Sequence, residues 1–136
     1  MSIRPALPPD LDALVQLAEK LELAYADMRS DRWWVAEEGG RIVGIAGLKI
    51  HADSEELVSL GVAPAYRSRG LGSKLVAALL AGRRGEIHLA TIIPEYFQRL
   101  GFAPTIRIPA SLRHRDPAWC AGCPREKCVI MMRPAR

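Results

Sequence analysis

The sequence predicts one domain of α/β or α+β class built on a mixed sheet, and three observations predict it. Its 136 residues fall in the size range of a single globular domain. An early hairpin signal, two β-type runs joined by Gly39-Gly40, calls for antiparallel pairing. A later amphipathic helix between two β-type runs calls for a crossover, so both pairings occur in one sheet. No internal repeat, low-complexity segment or linker interrupts residues 1–136.

Each element follows from local chemistry. "SIRPAL" reads as a short opening strand, and "PPD" supplies helix-start residues. Leu11, Leu14, Val15, Ala18 and Leu21 then recur at helical spacing, with Asp12, Glu19 and Lys20 opposite. "WWVAEE" and "RIVGIAGLKI" form the hairpin arms, and "HADSE" breaks the chain before the strand "ELVSLGV". The helix containing "SKLVAALLAG" ends at Gly82, with Arg83 and Arg84 in its last turn or just beyond, where the helix dipole favours cations. "EIHLATI" is a buried strand, "PEYFQRL" a short helix opened by proline, "GF" reopens an extended segment, and "CVIMMR" closes the chain as a strand.

Composition narrows the function. No apolar run approaches the roughly 20 residues of a membrane span, and "MSIRPALPPD" lacks the apolar stretch of a secretory signal, so a cytoplasmic protein without membrane attachment is expected. The formal charge is +4, carried mostly by arginine, with lysine at Lys20, Lys49, Lys74 and Lys127 alone. Such a balance suits an anionic partner: a phosphate-bearing cofactor, a carboxylate substrate or nucleic acid.

The stretch "VAPAYRSRGLGSKLVAALL" selects among these. A helix N-terminus exposes unpaired N–H groups and partial positive charge, which suits phosphate. Gly70 and Gly72 keep that end bare, and Arg67 and Arg69 add charge beside it. A dinucleotide fingerprint would need glycine where Leu75 stands, and a Walker loop would need Gly-Lys-Ser/Thr after a four-residue spacer. Neither is present. What remains is a basic residue, two residues, Gly70, one residue and Gly72, after a strand ending in Val-x-Pro; the bland alternative is an arginine-decorated turn.

On these residues, and on "EYFQRLGF" further along, the chain resembles the GNAT superfamily of acetyl-CoA-dependent N-acetyltransferases. The resemblance runs along nearly the whole chain, with a short segment between the first helix and Trp33. It implies a mixed, mostly antiparallel sheet flanked by helices in a single N-acetyltransferase domain over residues 1–136. It also implies that Arg67, Ser68, Arg69, Gly70, Leu71, Gly72 and Ser73 hold the pyrophosphate of acetyl-CoA, and that Leu60, Gly61 and Val62 bond the pantetheine and thioester.

Acetyl transfer needs a neutral amine held against a thioester, and positioning with backbone donors supplies much of the rate. Glu56 occupies the place where similar family members carry an acidic residue that acts on the amine, often through water; the alternative is a solvated carboxylate beside Glu55. Many members carry a tyrosine acid four residues before the glycine of Leu-Gly-Phe, where this chain has Phe97. Tyr96, one residue earlier, is the outside candidate for that role.

Cys120, Cys123 and Cys128, with His114 nearby, suggest zinc only as a minority alternative, because the paired spacing of zinc ribbons is missing. Reduced thiols are expected in a cytosolic chain. The same tail resembles that of short single-domain amino-acid N-acetyltransferases, a group that includes N-acetylglutamate synthases. It differs in carrying "VIMM" after the last cysteine and "ASLRHRDPAW" before the first. The resemblance implies transfer to the α-amino group of a small amino acid, with glutamate a candidate that Arg107, Arg113 and Arg115 could receive. Another amine (polyamine, drug or protein) and a non-catalytic acetyl-CoA sensor are the alternatives. A small-molecule amine is the expected partner, nucleic acid is not expected because the arginines are dispersed, and a homodimer is left open.

Overall fold

The computed structural model describes residues 1–113 and 127–136. Seven strands run through it: β1 (Ser2–Pro5), β2 (Arg32–Glu38), β3 (Arg41–Ile50), β4 (Glu55–Val62), β5 (Ile87–Thr91), β6 (Ala103–Pro104) and β7 (Val129–Arg133). Among the described residues four α-helices accompany them: α1 (Leu11–Lys20), α2 (Leu71–Leu80), α3 (Pro94–Gln98) and α4 (Ala110–Arg113). The strands follow the order β1-β2-β3-β4-β5-β7-β6. Pairs β1/β2, β2/β3, β5/β7 and β6/β7 are antiparallel and β4/β5 is parallel, so the sheet is mixed and mostly antiparallel. Two compact units are distinguished, Met1–Lys49 with Leu57–Arg83, and Ile50–Glu56 with Arg84–Arg136.

In the first unit, Leu14, Leu17 and Ala18 repeat at helical spacing and bury one stripe of α1 against Trp33, Val35 and Ile45. Each such leucine contributes about 1.5–3 kcal/mol by leaving water. The buried Trp33 indole N–H donates to the Met28 carbonyl at 2.7 Å, which satisfies its one polar atom. Gly47 makes room for that ring, since a Cβ there would stand 2.8 Å from it. Gly39 and Gly40, at φ +58° and +77°, close the β2–β3 hairpin with the two left-handed residues such a turn demands. Helix α2 buries Leu71, Leu75, Val76 and Leu79 and packs on β1 and β2.

In the second unit, β7 lies between β5 and β6 and places Met131, fully buried, opposite Leu89. Phe97 of α3 meets Phe102 edge to face at 6.1 Å, anchoring the short helix. Two features depart from the sequence expectations. The segment after "GF" forms a strand of two residues alone, Ala103 and Pro104, with one further bond to β7 from the Thr105 N–H to the Ile130 carbonyl at 3.1 Å. Helix α4 was not expected, because its N-terminal bond comes from far away: Asp53 accepts from the Ser111 backbone N–H at 3.1 Å. Local patterning cannot reveal a cap supplied 58 residues earlier.

Candidate active site

The glycine-rich turn belongs wholly to the first unit. After β4 the chain makes a 3-10 turn at Pro64–Tyr66, and Arg67 then turns it outward. Ser68 at φ +67° and Gly70 at φ +74° are both left-handed. Gly70 is the N-cap of α2, and the helix's first rung runs from Lys74 N–H to its carbonyl at 3.2 Å. The N–H groups of Leu71, Gly72 and Ser73 therefore lie ahead of the helical ladder, at its positive end. Residues Arg67 to Gly70 are exposed, and a Cβ on Gly70 would find nothing within 4 Å. Left-handed residues leading into a bare helix end form an anion-receiving concavity.

The two arginines flank this turn and are held at its sides. Arg67 Nε donates to the Val62 carbonyl at 3.1 Å. The Arg69 guanidinium stacks over the Tyr66 ring at 5.0 Å and stands 3.9 Å from Glu38. That pair is half exposed and long, so it holds the charge loosely and contributes under about 1 kcal/mol. This donor set fits a diphosphate: several amides, two guanidiniums and no side chain over the helix end.

Leu60, Gly61 and Val62 form the end of β4, and the strand is shaped just before them. Ser59 adopts φ +50°, a left-handed kink within the strand, and its hydroxyl donates to the Leu23 carbonyl at 2.8 Å. A Cβ on Gly61 would lie 2.6 Å from Leu23 Cδ1 and 2.8 Å from Leu21 Cδ1, so any larger residue would have to push those two side-chain ends aside. Sequence reasoning missed this kink, since nothing in "VSLGV" marks a serine as left-handed.

In the second unit the surroundings of Glu56 overturn the alternative of a solvated carboxylate. Its side chain is 2% exposed and lies 2.8 Å from His51 Nε2. The physical reason is the β3–β4 turn, closed by His51 N–H on the Ser54 carbonyl at 2.8 Å, which folds His51 back over Glu56. His51 was not singled out from the sequence; the one signal was a histidine and a glutamate bracketing the "HADSE" break. In the parallel register Glu56 lies beside His88 on β5, which is 4% exposed. Next to them Asp53 accepts from Ser111 Oγ at 2.6 Å as well as from its N–H. The Ser111 hydroxyl, its N–H and the Ser54 hydroxyl lower the Asp53 carboxyl to about 2.

The remaining candidates are placed as follows. Tyr96 is half-buried on α3, its ring edge-on to Phe97 at 5.1 Å, while Phe97 is buried in the core. Arg107 pairs with Glu86 at 3.5 Å, and Arg113 donates to the Ile108 carbonyl at 2.7 Å. Cys128 is half-buried. Cys120, Cys123, His114 and Arg115 lie outside the described residues. Among the described residues no cluster of three metal-ligand side chains occurs, and no helix is long and apolar enough to cross a membrane.

A strand with a kinked end, a left-handed glycine turn and a bare helix N-terminus, in a sheet of this order, define a class of acyl-transfer domain. Residues 29–104 match the acetyltransferase (GNAT) domain family, and the chain belongs to that family. Mycothiol acetyltransferase of Nocardia farcinica is 34% identical over 71 residues, covering 52% of this chain and 23% of that protein. The chain thus spans about a quarter of that curated relative. Among solved structures, N-acetylglutamate synthase from Neisseria gonorrhoeae, complexed with coenzyme A and N-acetyl-glutamate, superposes with a TM-score of 0.76 at 22% identity, covering 99% of this chain and 35% of that one. Rv2747 from Mycobacterium tuberculosis, in complex with CoA, gives 0.74 at 20% identity, covering 100% and 99%. At these identities the structural likeness establishes the fold.

Proposed function

We propose that this acetyltransferase domain moves the acetyl group of acetyl-CoA to the α-amino group of a small amino acid, with glutamate the first candidate. One observation carries the cofactor half: the left-handed, exposed Gly70 that leads into the first-turn amides of Leu71, Gly72 and Ser73, with Arg67 and Arg69 exposed beside it. These residues would bind the diphosphate, and Leu60 to Val62 would present backbone to the pantetheine. The bound cosubstrate supplies an acetyl group activated as a thioester. Glu56, with His51 on it, is the candidate for proton handling, and Tyr96 remains the outside candidate for the acid.

The acceptor half rests on likeness to a synthase that binds N-acetyl-glutamate and on the cysteine-bearing tail. It also draws support from charge. A cationic acceptor would want open carboxylates, yet Glu37 pairs with Arg4 at 3.6 Å, Glu38 faces Arg69, and Asp53 is bonded to Ser111. Residues 1–136 would act as one cytoplasmic domain on a small-molecule amine.

The test is incubation of the purified chain with acetyl-CoA and pooled amino acids, read by mass spectrometry because three cysteines would react with thiol reagents. A single N-acetylated amino acid is the expected result. CoA binding without any acetylated amino acid would overturn the amino-acid acceptor and favour another amine or a non-catalytic acetyl-CoA sensor.

A further inference from the structure

We infer that His51 is the group that takes the proton from the amine, and that Glu56 is a positioning residue acting through it. This rests on the acetyltransferase reading above and changes which atom does the work. Glu56 is 2% exposed whereas the His51 side chain is 15% exposed, so of the pair the imidazole reaches the surface. A carboxylate only accepts hydrogen bonds. With Glu56 Oε1 at 2.8 Å from His51 Nε2, the neutral ring carries its hydrogen on Nε2 and leaves the Nδ1 lone pair open. That is the logic of a base oriented by a buried carboxylate. A second feature marks the spot as more than a turn clamp. His88 stands beside Glu56 in register, on the same face of parallel strands, and its buried Nδ1 has no hydrogen-bond partner among the described residues. Buried polar atoms are otherwise paired, so polar capacity unused among the described residues adjoins the pair.

In the step, an ammonium proton of the acceptor moves to His51 Nδ1, giving an imidazolium held against the Glu56 carboxylate. The freed amine nitrogen bonds to the acetyl carbon as the C–S bond breaks. The departing thiolate takes the second nitrogen-bound proton, so an amide, a thiol and one proton on His51 result.

The experiment compares wild type with His51→Ala, His51→Gln and Glu56→Gln, each checked for folding by circular dichroism. In wild type, 15N NMR should find hydrogen on His51 Nε2 and none on Nδ1, and Glu56→Gln should abolish that preference. For His51→Ala the expected result is a loss of kcat on the order of 100-fold, the usual worth of a general base, with KM for acetyl-CoA unchanged. Added imidazole should recover part of the loss, which a structural clamp would not allow. His51→Gln covers the case in which alanine does not fold, and should show the same kcat loss. Wild type that transfers acetyl while folded His51 variants keep its kcat overturns this inference alone. A wild type that transfers to no amine overturns the acetyltransferase reading and this inference with it, as distinguishable from the first outcome. A His51 ring protonated on Nδ1 in wild type also overturns it.

Discussion

Replacing Gly70 with valine separates backbone conformation from steric bulk at the turn. At φ +74° a β-branched residue is in a region that costs about 1–2 kcal/mol. No atom lies within 4 Å of the added Cβ, so no clash contributes. The loop is exposed, with Arg67 and Arg69 held at its sides, so the free variant should relax out of the left-handed state. Its denaturant midpoint should then stay nearly that of wild type. Binding must restore the original backbone to re-aim the amides of Leu71, Gly72 and Ser73, and the conformational cost moves into the binding constant. That is a 5- to 30-fold weaker Kd for CoA, measured by isothermal titration calorimetry. Gly70→Asn provides the matched control, because asparagine tolerates the left-handed region and should recover most of the affinity. An unchanged Kd in Gly70→Val with stability lowered by 1–2 kcal/mol would show that the turn is structural and holds no cofactor. Equal losses for valine and asparagine would show that bulk, not backbone, is at issue.

Gly61→Ala forces Leu21 and Leu23 aside, but their clashing atoms are side-chain ends, so urea denaturation should show a loss of about 1–3 kcal/mol with folding retained. Trp33→Phe removes the indole donor from the Met28 carbonyl, which keeps the Asp31 N–H at 3.2 Å, and should cost about 0.5–1.5 kcal/mol in the same assay. Leu75→Ala, at a fully buried position of α2, should cost about 2–5 kcal/mol. The Asp53 carboxyl is depressed to about 2 in the folded chain, so the folded form binds fewer protons than the unfolded form. Its contribution is present above its ordinary value near 3.8 and is lost as pH falls toward 2. Amide exchange at Ser111 should quicken over that window, and Asp53→Asn should remove the dependence.

What could be read from the sequence was what is written locally. The hairpin at Gly39-Gly40, the stripe on α1 and the strand–turn–helix around Gly70 all depend on neighbours in the chain, and each is found where the residues indicated. The kink at Ser59, the cap on α4 and the burial of Glu56 depend on partners brought in by folding: Leu23, Asp53 and His51. Glu56 shows the limit well. Two adjacent glutamates at a strand start suggest a solvated end, and the return of His51 over the second one is what buries it. Gly61 stands between these cases, legible as a glycine but not as one pressed by two leucines.

The chain leaving α1 is the casting in which the end of β4 is formed. Leu23 offers its carbonyl to Ser59, and its side chain with that of Leu21 closes over bare Gly61. Selection on the geometry of Leu60 to Val62 therefore falls also on residues 21–23, which would bond to nothing that reacts. A map of tolerated substitutions should find that short segment as restricted as the strand it shapes, and anyone redrawing the strand would have to redraw both.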